Sequence, residues 1–226
     1  MKAVFFGTPE WAVPSLTALV ASGADIPAVV TNPDRPAGRG MKLQPSPVKR
    51  AALVAGLDVL QPASAKDPDL AGALESTAPD VAVVVAYGKI LPAALLEIPR
   101  KGFVNVHFSL LPAYRGAAPV QRALMDGLDR TGVSIMVLTE GMDEGPVLAT
   151  EEIAVAPEET AGEVGERLAA LGAEALVSAL PGYLSGDLMP EPQDDARATY
   201  APKVTPDEAR VSWDESPLAI ANKVRA

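Results

Sequence analysis

Val81-Ala82-Val83-Val84-Val85-Ala86 is a continuous apolar run that ends at Tyr87-Gly88. A strand with one wet face alternates polar and apolar residues. A run without alternation fits a strand buried on both faces, as in a parallel sheet covered by helices. Outward from it, towards the N-terminus, Val4-Phe5-Phe6 reads as a strand, Thr8-Pro9-Glu10 as a turn, and Trp11 to Ala21 as a helix closed by Gly23. Ile26 to Val30 reads as a second strand, Pro45 to Ala55 as a helix ended by Gly56, Val59-Leu60 as a short strand and Asp67 to Glu75 as another helix. Towards the C-terminus, strands are predicted at Val104 to His107, Val133 to Leu138 and Val147 to Val155, and a long helix from Thr160 to Leu184. This alternation of strand and helix predicts an α/β fold with a doubly wound, mostly parallel sheet.

Ligands in such sheets sit at the carboxyl ends of the strands. Asn105 and His107 close one predicted strand, Tyr87-Gly88 follow another, and Asp143 lies just beyond a third, so all are expected on one rim. Within Val104-Asn105-Val106-His107 the two polar side chains stand at i and i+2 and leave the strand on the same face. An amide beside an imidazole can polarise a carbonyl and move a proton. Taken alone, His107 reads equally as a hydrogen-bonded histidine near the core, and Asn105 as a turn residue. Asp143 sits in Glu140-Gly141-Met142-Asp143-Glu144-Gly145, a glycine-bracketed acidic turn that on its own reads as a solvated surface loop.

The 226 residues, 48% hydrophobic and 21% charged, suit one substantial α/β domain plus part of another. No apolar run is read as long enough to span a bilayer, and Met1 to Gly7 is too short for a signal peptide, so the cytoplasm is the expected location, an organellar matrix only if a transit peptide is missing. With no cysteine and one histidine, neither disulfides nor a structural zinc site is expected. The net charge of -10 argues against binding nucleic acid over the whole surface. Residues 35–50, however, carry Arg35, Arg39, Lys42, Lys49 and Arg50 and no acid, within a proline- and glycine-rich loop of the length that usually carries function or stays disordered. Such a loop can meet a phosphate backbone at one place. Gly7-Thr8-Pro9 lacks the spacing of a dinucleotide fingerprint, and Gly88-Lys89 lacks that of a phosphate loop.

Residues 1–188 form the expected catalytic domain, and 189–211, rich in Pro, Asp and Ala, the expected linker. The helix from Pro217 continues to Ala226 without a visible cap, so 212–226 reads as the start of a truncated further domain.

The run Asn105-Val106-His107-Phe108-Ser109-Leu110-Leu111-Pro112-Ala113-Tyr114-Arg115-Gly116-Ala117-Ala118-Pro119-Val120-Gln121 resembles the signature of the folate-dependent formyltransferases, and specifically of the methionyl-tRNA formyltransferases. The resemblance spans essentially the whole chain. It includes Phe6-Gly7-Thr8-Pro9, Asn32-Pro33-Asp34-Arg35-Pro36-Ala37-Gly38-Arg39-Gly40, Pro45-Ser46-Pro47-Val48-Lys49, Val84 to Gly88 and Tyr200-Ala201-Pro202-Lys203. It implies a Rossmann-like formyltransferase fold followed by a linker and a C-terminal tRNA-binding domain. It also implies transfer of a formyl group from 10-formyltetrahydrofolate to the α-amine of methionine on initiator tRNA, without a metal. Asn105, His107 and Asp143 match the family's catalytic residues. Ser109, Leu110, Leu111, Pro112, Tyr87 and Gly88 are then expected to line the folate slot, and Arg35, Arg39 and Lys42 to meet the tRNA acceptor stem, on a loop that orders on binding.

In this chemistry an amine attacks the formyl carbon, an oxyanion develops, and the folate nitrogen leaves with a proton. Asn105 and a protonated His107 can each donate to the oxyanion. Free imidazole titrates near pH ~6.5, so at neutral pH a carboxylate such as Asp143 is required to hold the charge, and the same carboxylate can relay the amine's proton. The same triad serves formyltransferases that act on amino sugars or on glycinamide ribonucleotide, and only the acceptor separates these readings. A silent folate- or RNA-binding module and a nicotinamide oxidoreductase are the readings from other classes.

Overall fold

The computed structural model describes every residue except Arg39. In chain order the elements are β1 (Ala3–Gly7), α1 (Val13–Ala21), β2 (Val29–Val30), β3 (Arg35–Ala37), β4 (Lys42–Gln44), α2 (Pro47–Val54), β5 (Val59–Leu60), α3 (Pro68–Thr77), β6 (Val81–Val85), α4 (Ala93–Leu96), β7 (Phe103–His107), α5 (Pro119–Met125), β8 (Arg130–Val137), β9 (Val147–Ala154), α6 (Ala161–Ser185) and α7 (Pro217–Arg225). Seven strands form the main sheet in the order β5-β2-β1-β6-β7-β8-β9. The first five are parallel; β8 and β9 then run antiparallel to their neighbours. The mostly parallel, doubly wound expectation holds.

Every residue of β6 is buried, as its unbroken apolar run requires. Its side chains are divided by the pleat. Val81, Val83 and Val85 enter the core under α1 and α6, and Ala82 and Val84 enter a second core with Leu70 and Leu74 of α3 and Leu95 of α4. The same division on β7 sends Val104 and Val106 to the first core and Phe103 to the second. Asn105 and His107 therefore share the face of the second core.

Helix α6 is capped by a reciprocal Thr160–Glu163 box and closed by Gly186 in the left-handed conformation. Contrary to the sequence expectation, it is long and apolar enough to cross a membrane by length and composition alone. Its small residues explain the apolarity differently. A side chain at Gly165 would strike Trp11, and one at Gly172 would strike Val106, so the helix lies close on the sheet. Half of its most apolar window is buried in that packing.

Residues 31–50 are not an open loop: β3 and β4 pair as an antiparallel hairpin that stands outside the main sheet. Its base is tied down by Lys49, which reaches both Asp34 oxygens at 2.9 and 2.8 Å and Gln61 at 2.7 Å. Those bonds hold the Asp34 carboxyl below its ordinary range, through Lys49 first and Gln61 second.

The segment expected as a linker lies against the sheet domain. Glu191 pairs with Val147 at the start of β9, and Tyr200 bridges to Arg115. Further on, Arg122 of α5 binds Glu208, whose carboxyl also caps Thr205. The Arg122 and Thr205 bonds hold Glu208 down at about 2 against an ordinary 4.5. A carboxylate with a lowered folded-state pKa stabilises above its unfolded value and loses that contribution as pH falls through the folded one. In denaturant titrations, the original chain exceeds Glu208→Gln in stability at neutral pH. The gap narrows from about pH 4.5 downward and closes near pH 2.

Candidate active site

The site begins with how β7 ends. After His107 the chain turns through Phe108 to Pro112, with a cis peptide between Leu111 and Pro112. The turn is fastened from within: Ser109 Oγ donates to the Ala113 carbonyl at 2.6 Å. Ser134 Oγ on β8 donates to the Ser109 carbonyl at 2.7 Å and accepts from Leu111 N–H at 3.0 Å. Tyr114 takes a left-handed φ of 60°, and its carbonyl meets His107 Nε2 at 2.9 Å. A carbonyl only accepts, so Nε2 carries the proton and Nδ1 is the nitrogen left to the site.

Nδ1 faces Asp143 Oδ2 at 3.6 Å, with the two side chains 6% and 16% exposed. That distance exceeds a direct hydrogen bond but lies within the range of an ionic contact. The same Asp143 oxygen accepts from Gly116 N–H at 2.8 Å, which fixes the carboxylate. Among the described residues the Asn105 amide has no hydrogen-bond partner. It is the uncommitted donor of the group.

Asp143 arrives by a different route from the one expected. Because β8 is antiparallel to β7, its last residues lie beside the beginning of β7, where Leu138 N–H donates to the Phe103 carbonyl. The carboxyl-end rim therefore does not include the end of β8. The turn that follows carries Asp143 back across the sheet face to His107. Of the two imidazole nitrogens, Nε2–H is held by the Tyr114 carbonyl, so His107 has only Nδ1, facing Asp143, to offer a substrate.

Of the residues expected to contact folate, Leu110, Leu111 and Pro112 are partly exposed, whereas Ser109 is buried with its hydroxyl engaged inside the turn. Tyr87 is a core residue, edge-on to Phe6, and its carbonyl accepts from Asn32 Nδ2. Burial pushes its phenol above the ordinary range. Gly88 is exposed at a φ of 79°. Arg35 and Lys42 are exposed on the β3–β4 hairpin, well apart in sequence from the triad; Arg39 lies outside the described residues. Of the other cations in that stretch, Lys49 is taken up by Asp34, and Arg50 lies 3.5 Å from Glu10. Among the described residues no group of three or more His, Asp or Glu is placed to hold a metal.

Four participants escaped the sequence reading. The Tyr114 carbonyl and the Gly116 amide are backbone groups, and no residue type announces them. Arg115, 2% exposed, binds Gln193 and Asp195. Burial is the largest single influence and opposes its charge, but the hydrogen bonds and charges of Asp195 and Tyr200 together outweigh it, so its pKa rises. Gln193 lay in a segment without periodicity, and nothing in sequence marked it.

The formyl transferase family model matches residues 1–180. The methionyl-tRNA formyltransferase of Methylococcus capsulatus is 49% identical over 226 residues, covering 100% of this chain and 73% of that protein. Among solved structures, an N-formyltransferase from Helicobacter canadensis in complex with folinic acid and dTDP-3-aminofucose superposes with a TM-score of 0.76 at 16% identity, covering 100% of this chain and 80% of that one. Phosphoribosylglycinamide formyltransferase from Bacillus halodurans gives 0.68 at 22% identity, over 83% of this chain and 97% of that one. At those identities the likeness is one of fold, and the close relatives carry the assignment. This chain belongs to the formyl transferase family of one-carbon transferases.

Proposed function

We propose that the chain transfers the formyl group of 10-formyltetrahydrofolate to the α-amine of methionine on initiator tRNA, the reaction that prepares the initiator for protein synthesis in the cytoplasm. The observation that carries this reading is the 49% identity to a methionyl-tRNA formyltransferase over all 226 residues. The amine attacks the formyl carbon, a C–N bond forms, and the bond to the folate nitrogen breaks as a proton passes from the amine to that nitrogen. The Asn105 amide donates to the oxyanion. His107, anchored through Nε2, offers Nδ1 to the proton in transit, and Asp143 sets the charge beside it. Leu110, Leu111 and Pro112 form one wall of the folate slot over the turn that Ser109 fastens, and the backbone at Tyr87-Gly88 forms another. We assign catalysis to residues 1–188, a connecting role to 189–211, and tRNA support to 212–226.

The test mixes the chain with 10-formyltetrahydrofolate and charged initiator tRNA and follows formyl-methionine. Transfer to a nucleotide-linked amino sugar or to glycinamide ribonucleotide, with none to the tRNA, overturns the reading.

Arg35, Arg39 and Lys42 are assigned to the acceptor stem. Phosphate contacts contribute through counterion release, so each of Arg35→Ala and Lys42→Ala weakens tRNA binding and lowers its logarithmic salt slope by about 1. The KM for the formyl donor stays as it was. Equal losses toward tRNA and folate would count against a role confined to tRNA.

A further inference from the structure

The turn that carries Asp143 is built to need external support. Asp143 has a φ of 53°, a left-handed conformation that a non-glycine residue keeps only where its surroundings hold it. Gly145 presses against the end of β8, where any side chain would overlap the Val137 carbonyl. The chain beyond the acid is thus confined, but this contact does not reach the Asp143 peptide itself.

Support comes from the segment that follows α6. Gln193 Nε2 donates to the Asp143 carbonyl at 2.8 Å and to the Gly145 carbonyl at 2.7 Å. Its Oε1 accepts from Arg115 Nε at 3.0 Å. Both amide donors therefore point at the acid turn, while the acceptor is aligned by a buried guanidinium. Arg115 immediately precedes Gly116, whose N–H binds the Asp143 carboxylate, and follows Tyr114, whose carbonyl binds His107.

The rest of this segment grips the same two loops. Thr199 Oγ1 accepts from Tyr114 N–H at 2.8 Å, and the Thr199 carbonyl accepts from Arg115 N–H at 2.8 Å. Ala201 N–H donates to the Arg115 carbonyl at 2.7 Å, and Glu191 exchanges two backbone bonds with Val147. Residues 191–201 thus form a strap joining the turn that bears Asp143 to the loop that receives both catalytic side chains.

We infer that Gln193 is a positioning residue for the formyl transfer, holding Asp143 in register with His107 from within the connecting segment. The inference rests on the proposed roles of Asp143 and His107. It adds that the path to the C-terminal helix is mechanically part of the catalytic centre, so that a pull on the strap is felt at the acid.

Gln193→Glu tests this with little change in shape. It keeps the acceptor for Arg115 but sets a carboxylate oxygen against two carbonyl oxygens. Because a displacement of about 1 Å at a reacting group can cost about 100-fold, kcat for formyl transfer is expected to fall about 10- to 100-fold, while KM for the formyl donor changes little. The readout specific to positioning is magnetic resonance of the imidazole, unambiguous because His107 is the only histidine. Its nitrogen resonances should move in Gln193→Glu in the same sense as in Asp143→Asn. Should Gln193→Glu fail to fold, Gln193→Ala removes the amide without adding charge and carries the same two readouts. Unchanged kcat, or a fall in kcat with unmoved imidazole resonances, overturns the inference. If the unsubstituted chain formylates no acceptor, the functional reading fails, whereas the resonance comparison still decides whether Gln193 governs the Asp143–His107 contact.

Discussion

Replacing His107 by alanine lowers kcat for formyl transfer by about 10²- to 10⁴-fold, the range over which a positioned acid or base usually contributes. The imidazole is held at one end by the Tyr114 carbonyl and faces Asp143 with the other, so its geometry is set before substrate arrives. No other imidazole exists in the chain to take over. Folate binding, measured separately by fluorescence or calorimetry, should change far less than turnover. Removal of this buried ring leaves a small void and a carbonyl without its donor, so thermal denaturation must accompany the kinetics. Turnover near that of the unsubstituted chain would sink the assigned role.

Asn105→Ala is the second large loss, about 10²- to 10³-fold in kcat, equivalent to about 2.7–4 kcal/mol of transition-state stabilisation by one oxyanion donor. The structure makes this loss more specific than that of His107. The Asn105 amide has no hydrogen-bond partner among the described residues, so truncation breaks no internal bond and stability should hold. Single-turnover measurements with saturating formyl donor should show the deficit in the chemical step. A defect confined to KM would assign Asn105 to binding instead.

The two effects differ in how far they could be anticipated. Asn105 and His107 stand two residues apart on a strand, and a period of two places them on one face whatever surrounds them. Their neighbours Val104 and Val106 are as apolar as the opposite face requires. Asp143 is a different case. Its position beyond a predicted strand suggested the common rim of a parallel sheet, but β8 runs antiparallel and its end lies at the far side. Strand direction is set by which connection packs against the sheet, and the residues of one strand do not encode it. The match to a family pattern named Asp143; the reason it reaches His107 is the turn that returns across the sheet.

The basic stretch shows the same limit. Its cations were visible as composition, yet Lys49 is taken up by Asp34 and Gln61 at the base of a hairpin, and Arg35 and Lys42 remain exposed above it. Pairing across fifteen residues of chain depends on where α2 lies, which composition does not show.

Periodicity and apolar runs were enough to establish the α/β class, the buried central strands and the Asn105–His107 pair, because these follow from the local repeat of the backbone. The tautomer of His107, the anchoring of Asp143 by Gly116 and the grip of Gln193 on the acid turn followed only from the folded chain. Each joins groups from 7 to 50 residues apart, and all three use a backbone atom that residue type does not single out. Such contacts exist only once the sheet has brought distant loops to one place.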